Sequence, residues 1–388
     1  MKLKYRKLLK QTIVIGVLVA LIAIFSLLKT NRAVSEYFFA RGLSRYWVLI
    51  VGTITEIFPF SVYGVLLCLA IPAVVAILVC IGVFWKKRRR TKAVSLFLKT
   101  VTAVLSVVFV YVATAGGCYN RDPVPMPLYQ GEQLTAEETA SLMRYYLDDL
   151  TAISARMTYD KTGKSVSPYS FDELAILLKE EYKRLDDDYY SSFTPHVKKA
   201  VFSRLMSYAG ISGMTFQPCG EGAVNSETPD CYLVVTAAHE LAHTKGVMRE
   251  RDANLVAYYL LVSSENEYLR YCGYMYCLSY LSGTLRLLDS DLYVSVMMTY
   301  PSAVYRDREL EIEFWESKEG FVETVNDFIN DLYLKLNGVK DGTQNYSDPS
   351  KYSTETHVDN KGETVTTVRI SYSDTARMLI ENARKHIS

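Results

Sequence analysis

Three apolar stretches near the N-terminus restrict the chain more than anything else in it: Thr12–Leu28, Ser61–Trp85 and Ala93–Ala115. A bilayer core about 30 Å thick is crossed by about 20 apolar residues wound as a helix, which satisfies every backbone N–H and C=O within one segment. Residues 1–115 are therefore expected to form a membrane region with spans at about 12–28, 61–85 and 93–115. Lys2, Lys4, Arg6, Lys7 and Lys10 precede the first stretch. No small-residue cleavage pattern follows it and more spans come after, so it reads as an uncleaved helix rather than a signal peptide. Pro72 falls within the second span, where a kink is tolerated. Lys99, near the start of the third, can extend its side chain to the interface. A fourth apolar run, Trp47–Phe60, is short and carries Glu56 and Pro59, so a buried or interfacial segment is expected there.

Charge orients these spans. The net charge of the 388 residues is only +1, yet residues 1–115 hold 16 Lys+Arg against 2 Asp+Glu, and the remainder holds 27 against 40. Loops rich in Lys and Arg stay cytoplasmic, and the run Lys86-Lys87-Arg88-Arg89-Arg90-Thr91-Lys92 lies between the second and third apolar stretches. The expected topology is multi-pass in the cell membrane, with a cytoplasmic N-terminus and everything after about Gly116 extracytoplasmic. An acidic domain of this kind argues against nucleic acid as a partner. The partners expected are the lipid bilayer and a peptide or protein substrate; the sequence sets no oligomeric state.

Residues 116–133, with Pro123, Pro125 and Pro127, read as a linker, and 134–388 as one domain, mainly α-helical with some β-structure. Thr135 and Glu138 have the form of a capping box opening a helix to about Met157. Helices are expected over Phe171–Leu185, Pro195–Tyr208, Tyr232–Lys245, from near Arg251, over Tyr268–Leu288 and across most of Ser302–Leu336. Ile211–Val224 reads as a strand or extended loop. Thr354–Ser371 alternates around Asn360-Lys361-Gly362 and reads as a hairpin, followed by a short helix over Asp374–Lys385.

His239-Glu240-Leu241-Ala242-His243 carries the chemistry. Positions four apart lie one above the other on a helix face, so two imidazoles can hold one zinc ion while Glu240 serves as general base toward a water on that ion. Two of only five His in the chain fall at this spacing. Gly246 lies where the motif helix can stop. A metzincin would carry a third His six residues after His243, but Arg249 stands there. Asp252, nine residues on, is the leading candidate for the third ligand, with Glu250, Glu265 and Glu267 as alternatives. Glu221 and Asn225 are candidate contacts to a substrate backbone, an ordinary turn being the alternative. Cys219 and Cys231 bracket the loop before the motif helix and are a candidate disulfide. Two free thiols are the other reading, since five Cys follow the spans. His196, His357 and His386 are not assigned to the metal.

The stretch Gly220–Asn225 (GEGAVN), the HELAH motif, Gly246 and Asp252-Ala253-Asn254 together resemble a bacterial family of membrane proteins known as DUF3810. The three apolar segments resemble it too, with Pro59–Gly64 (PFSVYG) opening the second. The likeness extends over most of the chain and weakens after about Gly338. It implies a zincin-like domain, and it places Asp252 where the family carries Glu as the ligand position. Motif and resemblance lead to one expectation: a membrane-anchored zinc metallopeptidase acting on extracytoplasmic peptides or proteins. A different class remains open, a non-catalytic membrane protein whose zinc is structural and whose domain binds or senses. Glu240 separates the two, because a structural site has no need of a carboxylate beside the water position. Transport is a third reading, supported only by Glu56 and Lys99 within the apolar region.

Overall fold

The computed structural model describes residues 3–185, 189–190, 193–358 and 364–387. Helix α1 (Leu3–Leu28), α2 (Val62–Lys86) and α3 (Arg90–Ala113) carry the apolar stretches. Three helices are long and apolar enough to cross a membrane, at Tyr5–Leu28, Val62–Lys86 and Arg90–Cys118. Helix α3 packs against both α1 and α2. Gln11 and Ser95 bond across the first pair, Gln11 Nε2 donating to the Ser95 carbonyl and Ser95 Oγ to Gln11 Oε1. Ser61 caps α2 by accepting from the Gly64 N–H, and Pro72 is accommodated inside that helix. Arg6, Lys7 and Lys10 therefore lie at the same end of the bundle as Lys86–Lys92. At the other end stand the end of α1, the start of α2, the end of α3 and the remaining chain.

Between α1 and α2, residues 34–56 wind as a helix with wide turns, in which the Arg45 N–H reaches the Ala40 carbonyl five residues back. One face, with Phe39, Ala40, Ser44, Val48 and Thr55, is buried, while Tyr37, Tyr46, Leu49, Ile50 and Ile54 are exposed. The buried face meets the domain, and Trp47 Nε1 donates to the Gln217 carbonyl at 3.1 Å. Residues 116–133, expected as a linker, are also drawn in: Gly116 to Tyr119, Arg121, Val124 and Tyr129 are buried.

The domain is mainly helical. Capping boxes open α4 (Ala136–Ser154) with Thr135 and Glu138, and α5 (Phe171–Arg184) with Ser170 and Glu173. A three-stranded sheet follows, made of β1 (Lys198–Lys199), β2 (Gly213–Phe216) and β3 (Glu221–Val224), with α6 (Ser203–Tyr208) between the first two. The order is β1-β3-β2, β1 parallel and β2 antiparallel to β3. The motif helix α7 (Asp230–Thr244) lies under this sheet, and α8 (Glu250–Val262) packs back on α7. Next comes α9 (Glu267–Leu288), capped by Asn266. It passes through the core and touches α4, α7 and α8, with Tyr271, Cys272, Leu278 and Leu281 buried. Then come α10 (Ser290–Met297), α11 (Ser302–Glu316), α12 (Phe321–Leu336), the antiparallel pair β4 (Lys351–Val358) and β5 (Thr364–Ser371), and α13 (Asp374–Ile387).

One expectation changes. The helix expected over Pro195–Tyr208 is confined to α6. Lys198 leads its segment into β1 instead, because its ammonium is held by Glu221 at 2.8 Å and by the Thr55 carbonyl at 2.7 Å. The helical stretch 302–336 is two helices, α11 and α12, parted at Gly320. The hairpin is present in β4 and β5, while its expected turn, Asn360-Lys361-Gly362, lies outside the described residues.

Candidate metal centre

Helix α7 is buried on nearly every side, from Leu233 to Thr244, and its C-terminal end builds the site. Gly246 takes a left-handed conformation with φ of 76°, open to glycine without the clash a Cβ would bring. Its N–H bonds to the His243 carbonyl, and the Val247 N–H reaches back to Ala242, a Schellman ending. The reversal turns the Val247 carbonyl back toward the helix, 2.7 Å from His243 Nδ1. A carbonyl only accepts, so Nδ1 of His243 carries a proton, and in the neutral imidazole the lone pair falls on Nε2. His239 is held likewise, with Nδ1 2.7 Å from Asn254 Oδ1. The amide of Asn254 is itself fixed, because its Nδ2 donates to the Tyr346 carbonyl at 3.1 Å. Such outer partners set the tautomer and ring angle of a metal-binding His.

Glu250 completes the set. Its Oε2 lies 3.1 Å from His239 Nε2 and 3.5 Å from His243 Nε2, and the donor atoms of all three residues fall within 4.8 Å of one another. Ligands about 2.0–2.1 Å from a tetrahedral zinc stand about 3.3 Å apart, which these distances match. Two imidazoles with outer partners and one carboxylate also form a donor set that suits zinc. Burial disfavours the His243 imidazolium, but Glu250, Glu240 and the Val247 carbonyl outweigh it and lift its pKa to about 9. For Glu250, burial is outweighed by the two imidazoles, and its pKa falls to about 2. The protein thus concentrates negative charge where a cation would sit.

Asp252, the leading sequence candidate for third ligand, stands apart from this cluster. Helix α8 begins at Glu250, a residue earlier than expected. Two positions farther on, the helix has turned by about 200°, and Asp252 faces Arg249 at 3.8 Å. Glu267 pairs with Arg156 at 2.7 Å and Glu265 is exposed, so of the alternatives only Glu250 reaches the histidines.

Glu240 is buried beside this cluster, and burial, only partly opposed by His243 and His239, raises its pKa. Thr215 Oγ1, on β2, lies 2.8 Å from Glu240 Oε2 and 2.8 Å from the Glu240 carbonyl. This contact needs a close approach of strand and helix. A Cβ on Gly213 would stand 2.5 Å from Glu240 Oε1 and 2.7 Å from Thr236 Cγ2. Sequence reasoning reached neither Thr215 nor the role of Asn254. Both act across the fold, although Asn254 stands in the Asp-Ala-Asn run already singled out.

The remaining expectations are corrected by burial. Glu221 is not in the cleft: it pairs with Lys198 and accepts from Ser61 Oγ at 3.0 Å and from the Tyr63 N–H at 2.8 Å, anchoring the start of α2. Asn225 is fully buried and donates to Ser207 Oγ and the Ile211 carbonyl. Cys219 and Cys231 are both free thiols. They belong to separate buried clusters, Cys219 with Tyr63 and Ala223, and Cys231 with the main core, beside Ser165.

The cluster opens into a cavity of about 760 Å³. Its walls are β2, the face of α7 carrying Thr236, His239, Glu240 and His243, the end of α3 with Tyr111 and Ala115, and the flank of α12 with Asn326, Asn330 and Tyr333. A family described as "Protein of unknown function (DUF3810)" matches residues 39–352. No curated protein and no solved structure matches the chain.

Proposed function

The chain belongs to the DUF3810 family, and we propose that it is a membrane-anchored zinc metallopeptidase with a zincin-like domain, acting on peptides or proteins outside the cytoplasm. One observation carries this reading: His239 Nε2, His243 Nε2 and Glu250 Oε2 converge at 3.1–3.5 Å beside a buried Glu240. His239, His243 and Glu250 would hold the ion. Bound there, zinc supplies a Lewis acid and lowers the pKa of water toward about 7. Glu240 would take a proton and pass it to the leaving amine. Thr215 engages Oε2, which leaves Oε1 to hold that proton. The raised pKa of Glu240 suits the task, since a base poised closer to neutrality both accepts and returns a proton.

The strand above the site supports a peptide as substrate. β2 pairs with β3 on one side only, so its other edge offers backbone N–H and C=O groups along the cavity. An extended peptide can add there as a further strand, its main chain held without regard to sequence. Orientation follows from charge: Lys86–Lys92 lies at the bundle end away from the domain and stays cytoplasmic, which puts the domain outside. The test compares envelope peptides by terminal labelling in cells carrying the intact chain or Glu240→Gln, with zinc content measured in both. Peptides that vanish with Glu240→Gln at unchanged zinc support the reading. An identical peptide set at full zinc occupancy overturns it.

A further inference from the structure

Helix α12 is built to be half buried, but the protein does not bury it. Phe321, Val325, Phe328, Leu332 and Leu336 recur every three or four residues and form one apolar stripe, with Ile329 at its edge toward the cavity. Helix α13 has the same kind of stripe, and its Met378, Leu379, Ile380 and Ala383 are fully buried in the core. On α12 the stripe stays open, with Phe328 71% and Leu336 75% exposed, and Leu334 is its one buried residue.

We propose that the apolar face of α12 lies in the lipid at the bilayer surface, making this helix an interfacial wall of the cavity. Two observations support lipid over other coverings. First, α12 is joined to the exit of the third span: Tyr333 Oη lies 2.8 Å from Tyr111 Oη and 3.1 Å from Tyr119 Oη. Tyr111 sits two residues before the end of α3 and Tyr119 just beyond it, and tyrosines mark the level at which a span leaves the hydrocarbon. The stripe therefore continues an apolar surface that already faces lipid. Second, the segment 34–56, at the same end of the bundle, leaves Tyr46, Ile50 and Ile54 exposed. Two apolar surfaces from opposite parts of the chain thus flank the spans where a bilayer surface would run. Helix α12 also carries Glu323, Asp327 and Asp331 against Lys335. Such a helix gains nothing from anionic headgroups, but tethering to the spans holds it at the surface, where apolar burial suffices. Its polar flank, Asn326, Asp327 and Asn330, faces the cavity.

The test uses the full chain in phosphatidylcholine vesicles with Cys68→Ala and Cys80→Ala, the other five thiols being buried. Nitroxides are placed at Phe328→Cys and Leu332→Cys on the stripe and at Asp327→Cys on the flank that faces the cavity. Collisions with oxygen, which concentrates in lipid, are compared with collisions with an aqueous nickel chelate. The expected oxygen-to-nickel ratio is several-fold higher at 328 and 332 than at 327, and unchanged by phosphatidylserine or high salt. Equal nickel access at all three positions puts the stripe in water and overturns the proposal. Shielding of 328 and 332 from both reagents means that a second copy or another protein covers the stripe, and also overturns it. The readout needs no turnover, so it stands or falls separately from the peptidase reading.

Discussion

The cavity has two unlike sides. Its floor, α7 with the start of α8, is buried, and three of the side chains there are held by a partner: His239 by Asn254, His243 by the Val247 carbonyl, Glu240 by Thr215. Its wall, α12, has one buried residue and an open apolar stripe. Preorganised donors need a rigid frame, whereas elements that open and close come from the weakly packed end of a fold. On the proposed function, the floor would be fixed for chemistry and the wall would be the side free to move.

The largest effect should come from the floor. Glu240→Gln should keep zinc and lower turnover by about 10²–10⁴-fold, the usual worth of a general base; equal turnover of a cleaved peptide would remove Glu240 from the chemistry. Next comes the metal. Glu250→Ala should weaken zinc binding by more than the about 10–100-fold that follows loss of an outer partner. Asn254→Ala should fall in that range, and Asp252→Ala should change little. Zinc titration of the purified chain decides, and tight binding by Glu250→Ala with loss in Asp252→Ala would reverse the assignment.

How the wall and floor were legible from sequence differs in the same way. The spans and the His-Glu-x-x-His helix could be read because each is a local pattern. The third ligand could not, because one residue in the start of α8 decides whether Glu250 or Asp252 faces α7. Thr215 reaches Glu240 across 25 positions and Glu221 reaches Ser61 across 160, so neither role has a local signature. Cys219 and Cys231 are near in sequence but separated into different packing clusters. Helix α12 was expected as a helix, yet its stripe has the same pattern as the buried stripe of α13, and pattern alone cannot tell core from lipid.

A third prediction concerns pH. His243 must be neutral to hold zinc, and in the metal-free protein its pKa is about 9. Below that value zinc has to displace a proton, so affinity should rise about tenfold per pH unit and level off above about pH 9. A flat titration between about pH 6 and pH 8 would show that no such proton is displaced. The smallest effect belongs to the wall. In detergent, Leu332→Ala should change stability by no more than about 0.5 kcal/mol, while Leu241→Ala, fully buried on the floor, should cost about 2–5 kcal/mol. Equal losses in thermal unfolding would mean that the wall is packed after all.

Arg121 lies just beyond the third span, buried against Glu36 at 3.0 Å and donating to the Lys245 carbonyl at the end of the motif helix at 2.9 Å. Glu36 comes from the segment between the first two spans, as Ser61 and the Tyr63 N–H do for Glu221. A chain cut free of its spans would leave the Arg121 guanidinium buried without Glu36, a loss of about 3–5 kcal/mol, and would take Ser61 and the Tyr63 N–H from Glu221, which keeps Lys198. Whole domains are stable by only about 5–15 kcal/mol. The liberated domain should therefore fail to melt cooperatively or to bind zinc. Spans and domain are accordingly matched to one another: a copy of the domain on another anchor would arrive without Glu36, the charge that Arg121 is buried against.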